Sequence, residues 1–223
     1  MLAFSSLLGN VEGQNIYRIW YDKPASYWEE ALPVGNGRIA AMVFGDPQLE
    51  QIQLNEETVS AGSPYQNYNE EAKTALPEMR RLIFEGKYEE AQNMAATKIL
   101  SQVGNEMPYQ TVGRLNIRYQ DHKKVNNYYR DLDISNAVAV TRYEVDGVEF
   151  TEETFASFTD QLVIRHIKAS KPGTINCELF FNTPMRDPKR SIYGKKGLRL
   201  EGITHASRYF PGKVHYCADL DVK

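Results

Sequence analysis

The chain has 223 residues, 42% of them hydrophobic and 25% charged, and a formal net charge of −3. This composition excludes global disorder, and the length fits one large domain. Because acidic and basic residues are mixed along the chain, we expect no nucleic-acid surface and favour a neutral or weakly charged ligand.

The first fifteen residues have the pattern of the rear half of an export signal. A short apolar run over residues 2–8 precedes Val11 and Gly13, which are spaced like the small residues before a signal cleavage site. No Lys or Arg precedes Arg18, so the basic region of such a signal is missing. We predict that residues 1–15 are a remnant of an export signal or a disordered tail, and that the protein is periplasmic or secreted. No stretch approaches the ~18 apolar residues of a membrane helix, so no membrane span is predicted.

The chain after this segment begins with strand patterns. Residues 16–20 and 37–44 are densely apolar and are bounded by Gly, Pro and Asn, as strands commonly are. A further strand is predicted over residues 50–54. The Asp46-Pro47 dipeptide before it favours a hairpin turn.

Residues 69–103 have a helical period instead. Asn69 is placed as an N-cap, and apolar side chains recur at helical spacing at Ala72, Leu76, Met79 and Ile83. Gly86 predicts the end of this helix, and a second helix is expected to end before Gly104. A helical pair is therefore predicted within a β protein.

From Tyr109 the apolar period returns to two. Asp146-Gly147, between two valines, is the strongest hairpin signal in the chain, and residues 161–168 and 174–181 predict a further strand pair. Residues 216–223 alternate to the end of the sequence, which suggests a last edge strand or a chain cut inside a larger architecture. We predict a mainly β, antiparallel sandwich forming a single domain over residues 16–223, with the helical insertion at about 69–103.

Motifs of common catalytic and cofactor sites are missing. The four histidines form no zinc-binding spacing, and no nucleotide fingerprint occurs, so neither a metal nor a cofactor is predicted. Adjacent carboxylates on a strand point to opposite faces, so each acid pair predicts a solvated edge or the first turn of a helix; the pairs are Glu29-Glu30, Glu56-Glu57, Glu70-Glu71, Glu89-Glu90 and Glu152-Glu153. The two cysteines, Cys177 and Cys217, are predicted to be buried thiols.

Two features allow a site as well as a structural role. The glycines on either side of Asn36 predict a tight turn that presents Asn36 and Arg38, and Asn and Arg are common partners of sugar hydroxyls. From the residues alone, a purely structural turn is favoured over a site. The aromatic residues Trp20, Trp28 and the tyrosines of 65–68 offer flat faces for sugar rings, although a sandwich core uses the same residue types.

Longer motifs carry a resemblance to a known family. The segments WEEALPVGNGRIAAMVFG and EQIQLNEETVSAGSP are followed in order by ALPEMRRLIFEGKYEEAQ, MPYQTVGRLNIRY, YYRDLDISNAVAVTRYEVDGVEFTEETFAS and DQLVIRHIKASKPG. Together they resemble the amino-terminal part of glycoside hydrolase family ninety-five, the inverting α-L-fucosidases. The resemblance runs from about Trp20 to Gly173. Such enzymes place a β-super-sandwich before a long (α/α)6 barrel that holds the catalytic acid and base, and no position of this chain matches those catalytic residues.

The resemblance implies a non-catalytic amino-terminal domain, inactive by itself, from a larger multidomain enzyme. Its partners would be the barrel of the same parent chain and a fucosylated or related glycan. The polar parts of the best-matching region are Asn36, Arg38, Asn55 and Glu56, which would lie at the rim of the substrate pocket or, in the alternative, cap turns within the sandwich. Ser60 departs from the family pattern, which usually has Trp there. A stand-alone carbohydrate-binding module and an assembly protein without sugar chemistry remain alternatives.

Overall fold

The computed structural model describes residues 17–62, 66–101, 107–208 and 210–223. The predicted export-signal remnant over residues 1–15 lies outside these described residues. The strands are β1 Arg18–Tyr21, β2 Leu32–Gly35, β3 Ile39–Val43, β4 Leu49–Glu56, β5 Gly113–Tyr119, β6 Val125–Asp133, β7 Val138–Val145, β8 Val148–Ser157, β9 Leu162–Ala169, β10 Cys177–Asn182, β11 Arg186–Tyr193, β12 Gly197–Ile203 and β13 His215–Leu220. The helices are α1 Ala72–Phe84 and α2 Tyr88–Met94, which continues into a π-helical turn over Ala95–Ile99.

One compact unit comprises the described residues of 1–57 together with 113–183, and it is a β-sandwich. Its first sheet has the strand order β1-β6-β7-β8-β9, and its second sheet has the order β10-β5-β4-β3-β2. Every neighbouring pair in both sheets is antiparallel. The predicted mainly β, antiparallel fold with an inserted helical pair is confirmed.

Alternation along the strands supplies the sandwich core. On β8 the inward side chains Val148 and Phe150 are buried, whereas Glu149 between them is exposed. Phe150 packs with Tyr143 and Val145 of β7, and its ring lies 5.3 Å from that of Tyr143 in a nearly parallel stack. Burying each such side chain contributes about 2 to 3 kcal/mol, so this apolar layer is a main source of the sandwich's stability.

The β7–β8 hairpin forms where the sequence predicts it. Asp146 has φ 49° and Gly147 has φ 71°, the pair of positive values that a two-residue type I′ turn requires. The turn aligns Val145 with Val148, and Tyr143 then pairs with Phe150. Turn chemistry in this hairpin therefore fixes which side chains enter the core.

The second compact unit comprises the described residues of 58–112 together with 184–223. It contains α1, α2 and a three-stranded antiparallel sheet of order β11-β12-β13. The prediction of Asn69 as the N-cap is wrong, because Glu71 is the N-cap residue of α1. Asn69 instead closes the turn before the helix: its Oδ1 accepts from the Glu71 N–H and its carbonyl from the Ala72 N–H, both at 3.0 Å. No described helix has the length and apolarity that a membrane crossing needs. The prediction of a single domain over residues 16–223 stays a prediction.

The prediction of two buried thiols is wrong for Cys217. Cys177 is half-buried on β10, but Cys217 is exposed on β13. Cys217 is paired with Glu201, and Asp219 with Arg199, so the thiol lies on a charged face of the three-stranded sheet. Its Sγ donates to Asp219 Oδ1 at 3.4 Å. Alternation alone did not show which face of this sheet is polar.

Candidate functional site

The glycine turn between β2 and β3 holds Asn36 firmly. Asn36 Oδ1 accepts hydrogen bonds from the backbone N–H groups of Arg38 and Ile39, at 3.1 and 2.9 Å. Its Nδ2 donates to the Ser157 carbonyl at the end of β8, at 2.9 Å. Gly37 has φ 93°, which a residue with a Cβ rarely adopts. The Asn36 side chain therefore closes the turn and ties it to the other sheet.

Arg38 and Glu56 meet next to this turn. Arg38 Nε lies 3.1 Å from Glu56 Oε1, and their side chains are 58% and 19% exposed. Ile39 is paired with Glu56, and the Arg38 carbonyl accepts from the Glu57 N–H at 3.0 Å, so strand pairing holds both backbones. An ion pair this exposed contributes about 1 kcal/mol or less to stability. Its charged groups are thus accessible for contact with a ligand or a partner.

Asn55 is oriented away from Glu56. It is paired with Ala40, and adjacent strand residues point to opposite faces. Its Oδ1 is buried and meets no hydrogen-bond donor within the described part of the chain. Of the four predicted rim residues, the structure therefore brings Arg38 and Glu56 together beside Asn36 and places Asn55 on the opposite face of the sheet. We call Asn36, Arg38 and Glu56 the rim cluster.

Three charged side chains meet inside the sandwich and form what we call the buried charge cluster. Glu50 on β4 and Glu152 on β8 share the guanidinium of Arg165 on β9. Arg165 Nη2 lies 2.8 Å from Glu50 Oε2 and also pairs with Glu152 Oε2. The side chains of Glu50, Glu152 and Arg165 are 0%, 2% and 7% exposed, so a single cation faces two carboxylates out of contact with water.

Further donors satisfy the two carboxylates. Glu50 Oε1 accepts from the backbone N–H groups of Phe44 and Gly45, at 3.1 and 2.9 Å. Glu152 Oε1 accepts from the hydroxyls of Tyr119 and Tyr143, both at 2.6 Å. Such charge-assisted bonds are among the stronger ones in proteins. The cluster therefore fixes the chain after β3 and joins the two sheets.

Burial sets the ionisation of this cluster. It raises the pKa of Glu50 to about 7, although the attraction of Arg165 opposes the rise. Burial also raises the pKa of Tyr119 and of Tyr143, and the nearby Glu152 carboxylate adds to both effects. Both phenols consequently remain protonated donors at neutral pH. With this pKa, Glu50 changes its charge near neutral pH.

The location of Glu152 corrects one prediction. Glu152-Glu153 was expected to be a solvated pair, yet only Glu153 faces solvent, because the inward register of β8 carries Glu152 into the core. The alternation Val148, Phe150, Glu152 already indicates this inward face. No sequence signal connects Glu152 with Glu50, because the two strands meet only in the folded sandwich.

The buried charge cluster has the composition of an acid–base pair but not its accessibility. Glycoside hydrolysis needs two carboxylates that flank a bound sugar. Glu50 and Glu152 instead face one another across Arg165 in a packed interior. Nor do the described residues include a group of three or more His, Cys, Asp or Glu side chains placed to hold a metal ion.

Comparison with known proteins identifies the family of the chain. The family described as glycosyl hydrolase family 65, N-terminal domain, matches residues 19–221. The chain belongs to this family. The match covers both compact units.

Three curated relatives are fucosidases by name. "Alpha-L-fucosidase 2" of Arabidopsis thaliana is 37% identical over 181 residues, which is 78% of this chain and 21% of the relative. "Probable alpha-fucosidase A" of Aspergillus niger is 26% identical over 68% of this chain and 20% of the relative, and its namesake from Aspergillus oryzae is 25% identical over 74% and 23%. The chain therefore spans about a fifth of the length of these relatives. It corresponds to the amino-terminal domain of a glycoside hydrolase.

Ser60 is the position at which the sequence departs from the resemblance to family ninety-five. It forms an isolated antiparallel bridge with Tyr109 and is half-buried, whereas Tyr109 is 53% exposed. The local backbone pairing is therefore made without an aromatic residue at position 60.

Proposed function

We propose that this domain supports the catalytic barrel of an inverting α-L-fucosidase of glycoside hydrolase family ninety-five and is not itself catalytic. The match of residues 19–221 to a glycosyl hydrolase amino-terminal domain carries the proposal. The fucosidase relatives and the order of the sequence motifs support the choice of sugar and family. The full enzyme would use an acid and a water-activating base, both outside this domain.

The arrangement of carboxylates supports the non-catalytic part of this proposal. A general acid must reach the glycosidic oxygen, and a base must reach the attacking water. Glu50 and Glu152, a pair of closely placed acids of the sandwich, are 0% and 2% exposed and are held by Arg165. Moving either one to a substrate would leave buried charges unpaired, at a cost of about 3 to 5 kcal/mol.

The rim cluster is the part of the domain that we propose for contact with substrate. Asn36 fixes the turn, and Arg38 with Glu56 presents charged N–H and carboxylate groups at its surface. Such groups bind the hydroxyls of a sugar such as the fucosyl unit of a glycan. Asn55 has its buried amide oxygen on the opposite face of the sheet, so we leave it out of the proposed contact with substrate.

The first experiment separates support from catalysis. The 223-residue chain and the full-length product of its gene are assayed side by side with an aryl α-L-fucoside, and the anomer released is identified by NMR. We expect turnover with inversion only from the full-length protein. Turnover by the chain alone that is abolished by changing one carboxylate would refute the non-catalytic role. Equal turnover of α-L-galactosides would refute the choice of fucose.

A second experiment tests the rim. In the full-length protein, Arg38→Ala is compared with Arg118→Ala, whose Arg also forms an exposed ion pair, with Glu178 at 2.7 Å. Loss of one charged hydrogen bond to substrate should raise KM about tenfold for Arg38→Ala. Arg118→Ala should leave KM unchanged. A KM that responds equally to both variants would contradict the rim assignment.

Export is also part of the proposal, with the periplasm or the cell exterior as the location. The apolar run over residues 2–8 with Val11 and Gly13 supports it. Mass spectrometry of the protein recovered from cell fractions would test it, because an exported protein should lose residues near position 13. Recovery of the protein only from the cytoplasm, with residues 1–13 still present, would contradict export.

A further inference from the structure

The outward face of the first sheet carries aromatic and charged side chains that the rim cluster does not use. Trp20 is paired with Asp131, and Tyr129 with Arg142, so these four side chains share a face that points away from the sandwich core. Arg18 lies on the same face two residues before Trp20. We call these five residues the outer patch.

Trp20 is the most exposed aromatic of the outer patch. Its side chain is 61% exposed although it lies within a strand. The Trp20 and Tyr129 rings are nearly parallel, at 20° with centroids 6.2 Å apart, so the two rings form an offset stack on this face. A flat, oriented indole left open to solvent is a suitable surface for the C–H face of a pyranose ring.

Charged groups adjoin this indole. Asp131 has a side chain only 1% exposed, lying 3.1 Å from Arg18 Nη1 and 3.5 Å from Arg142 Nη1. Neither Asp131 oxygen has a partner with hydrogen-bond geometry among the residues that the structure describes. The arginine side chains are 35% and 47% exposed. Arg18 Nη2 also lies 3.4 Å from Asp133 Oδ2, so Asp131 and Asp133 together hold Arg18, whereas Arg142 pairs with Asp131.

The composition of the patch favours a glycan over a protein partner. Trp, Tyr and Arg are common in protein–protein interfaces, but Asp is depleted there, and here the buried Asp131 carboxylate lies in the strand position next to the exposed ring. Small-molecule sites commonly combine an aromatic surface with a few convergent polar groups. Guanidinium N–H groups bind hydroxyl oxygens, which a pyranose presents around its ring.

We propose that the outer patch is a non-catalytic binding site for a neutral pyranose unit of a glycan. The ring stacks on Trp20, Arg142 donates N–H groups to its hydroxyls together with the N–H groups of Arg18 that the two aspartates do not bind, and Asp131 positions both arginines. This site goes beyond the proposed support of a barrel and does not depend on it. Its effect would be to retain a polysaccharide or glycoprotein near the enzyme between turnovers.

Saturation-transfer NMR on the 223-residue chain tests the site without any turnover, so its outcome is independent of the fucosidase assay. The probes are methyl α-L-fucopyranoside, methyl β-D-galactopyranoside and cellotetraose. We expect saturable binding of at least one probe with Kd on the order of millimolar, as is common for a single stacked sugar. No saturable binding of any probe would overturn the proposal.

Variants locate the binding. Trp20→Ala should weaken binding about tenfold or more, whereas Trp20→Phe keeps a flat ring and should retain part of it. Trp28→Ala is the matched control, because Trp28 is the other tryptophan of the chain and is 51% exposed. Arg142→Ala should also weaken binding; thermal melts of the tryptophan variants should coincide with that of the wild type, and Arg142→Ala should melt lower but stay folded at the temperature of the binding assay, because Arg18 still faces the buried Asp131. Equal affinity of Trp20→Ala and Trp28→Ala for the sugar would overturn the proposal. So would a chain that binds no sugar but self-associates in a way that Trp20→Ala abolishes.

Discussion

Replacing Arg165 with Met tests the buried charge cluster directly. The substitution keeps an unbranched apolar side chain of similar length but leaves Glu50 and Glu152 in the sandwich interior without their cation. Removing one partner of a buried ion pair typically costs about 3 to 5 kcal/mol. A natural domain has only about 5 to 15 kcal/mol of stability, so Arg165→Met should remain folded with a small margin.

The loss should depend on pH because of Glu50. In the wild type, burial raises the pKa of Glu50 to about 7. As pH rises, the ionisation of Glu50 therefore lowers the unfolding free energy only until a little above pH 7, where the group is fully charged in the folded protein as well. Without Arg165 this pKa rises further, and the variant's stability keeps falling by up to about 1.4 kcal/mol per pH unit. The difference between the two proteins should therefore be up to about 2 kcal/mol larger at pH 8.5 than at pH 6.

Urea denaturation of the 223-residue chain, followed by far-UV circular dichroism at pH 6 and 8.5, measures this difference. Arg118→Met is the control, because Arg118 and its partner Glu178 are each 52% exposed. That control should change stability by about 1 kcal/mol or less at either pH. An Arg165→Met variant no weaker than the control, or one weakened equally at both pH values, would refute the argument.

Three smaller changes test other parts of the sandwich. Between pH 4.5 and 7.5, the stability of Glu50→Gln should fall by about 3 kcal/mol less than that of the wild type. The reason is that a carboxyl with a raised pKa stabilises the fold at low pH and loses this contribution as pH rises through about 7. An unchanged pH profile in urea titrations would contradict this expectation. Gly45→Ala should lower the melting temperature far more than Gly147→Ala. Both glycines have positive φ, but only at Gly45 would an added Cβ meet other atoms, at 2.8 Å from Arg130 Cδ. Equal melting temperatures would show that crowding is unimportant. Asn36→Ala should lower the unfolding free energy measured in urea by about 1 to 3 kcal/mol, and Asn36→Asp should lower it less. Asp keeps the two acceptor bonds of the turn and loses only the donor to the β8 carbonyl. The opposite order would contradict this account of the turn.

Patterns that depend on neighbouring residues could be predicted from the sequence. The Asp146-Gly147 hairpin and the helical pair of residues 72–99 follow from positive φ preference and from helical periodicity, both properties of short segments. The turn around Asn36 belongs to the same class, because its two acceptor bonds reach only two and three residues along the chain. The remaining rim contact, Arg38 with Glu56, needed the β3–β4 register.

The sequence by itself determined the mainly β character, the helical insertion and the kind of enzyme to which the domain belongs, since these depend on local propensity and on long collinear motifs. Only the tertiary structure decided which acids are buried and which surfaces are formed. Glu50 and Arg165 are 115 residues apart in the chain, and Asn36 is 121 residues from Ser157. Strand order brings these groups together, as it brings β1 beside β6 to place Trp20 against Tyr129. Contacts of this kind arise from the packing of whole sheets, so no short stretch of sequence encodes them.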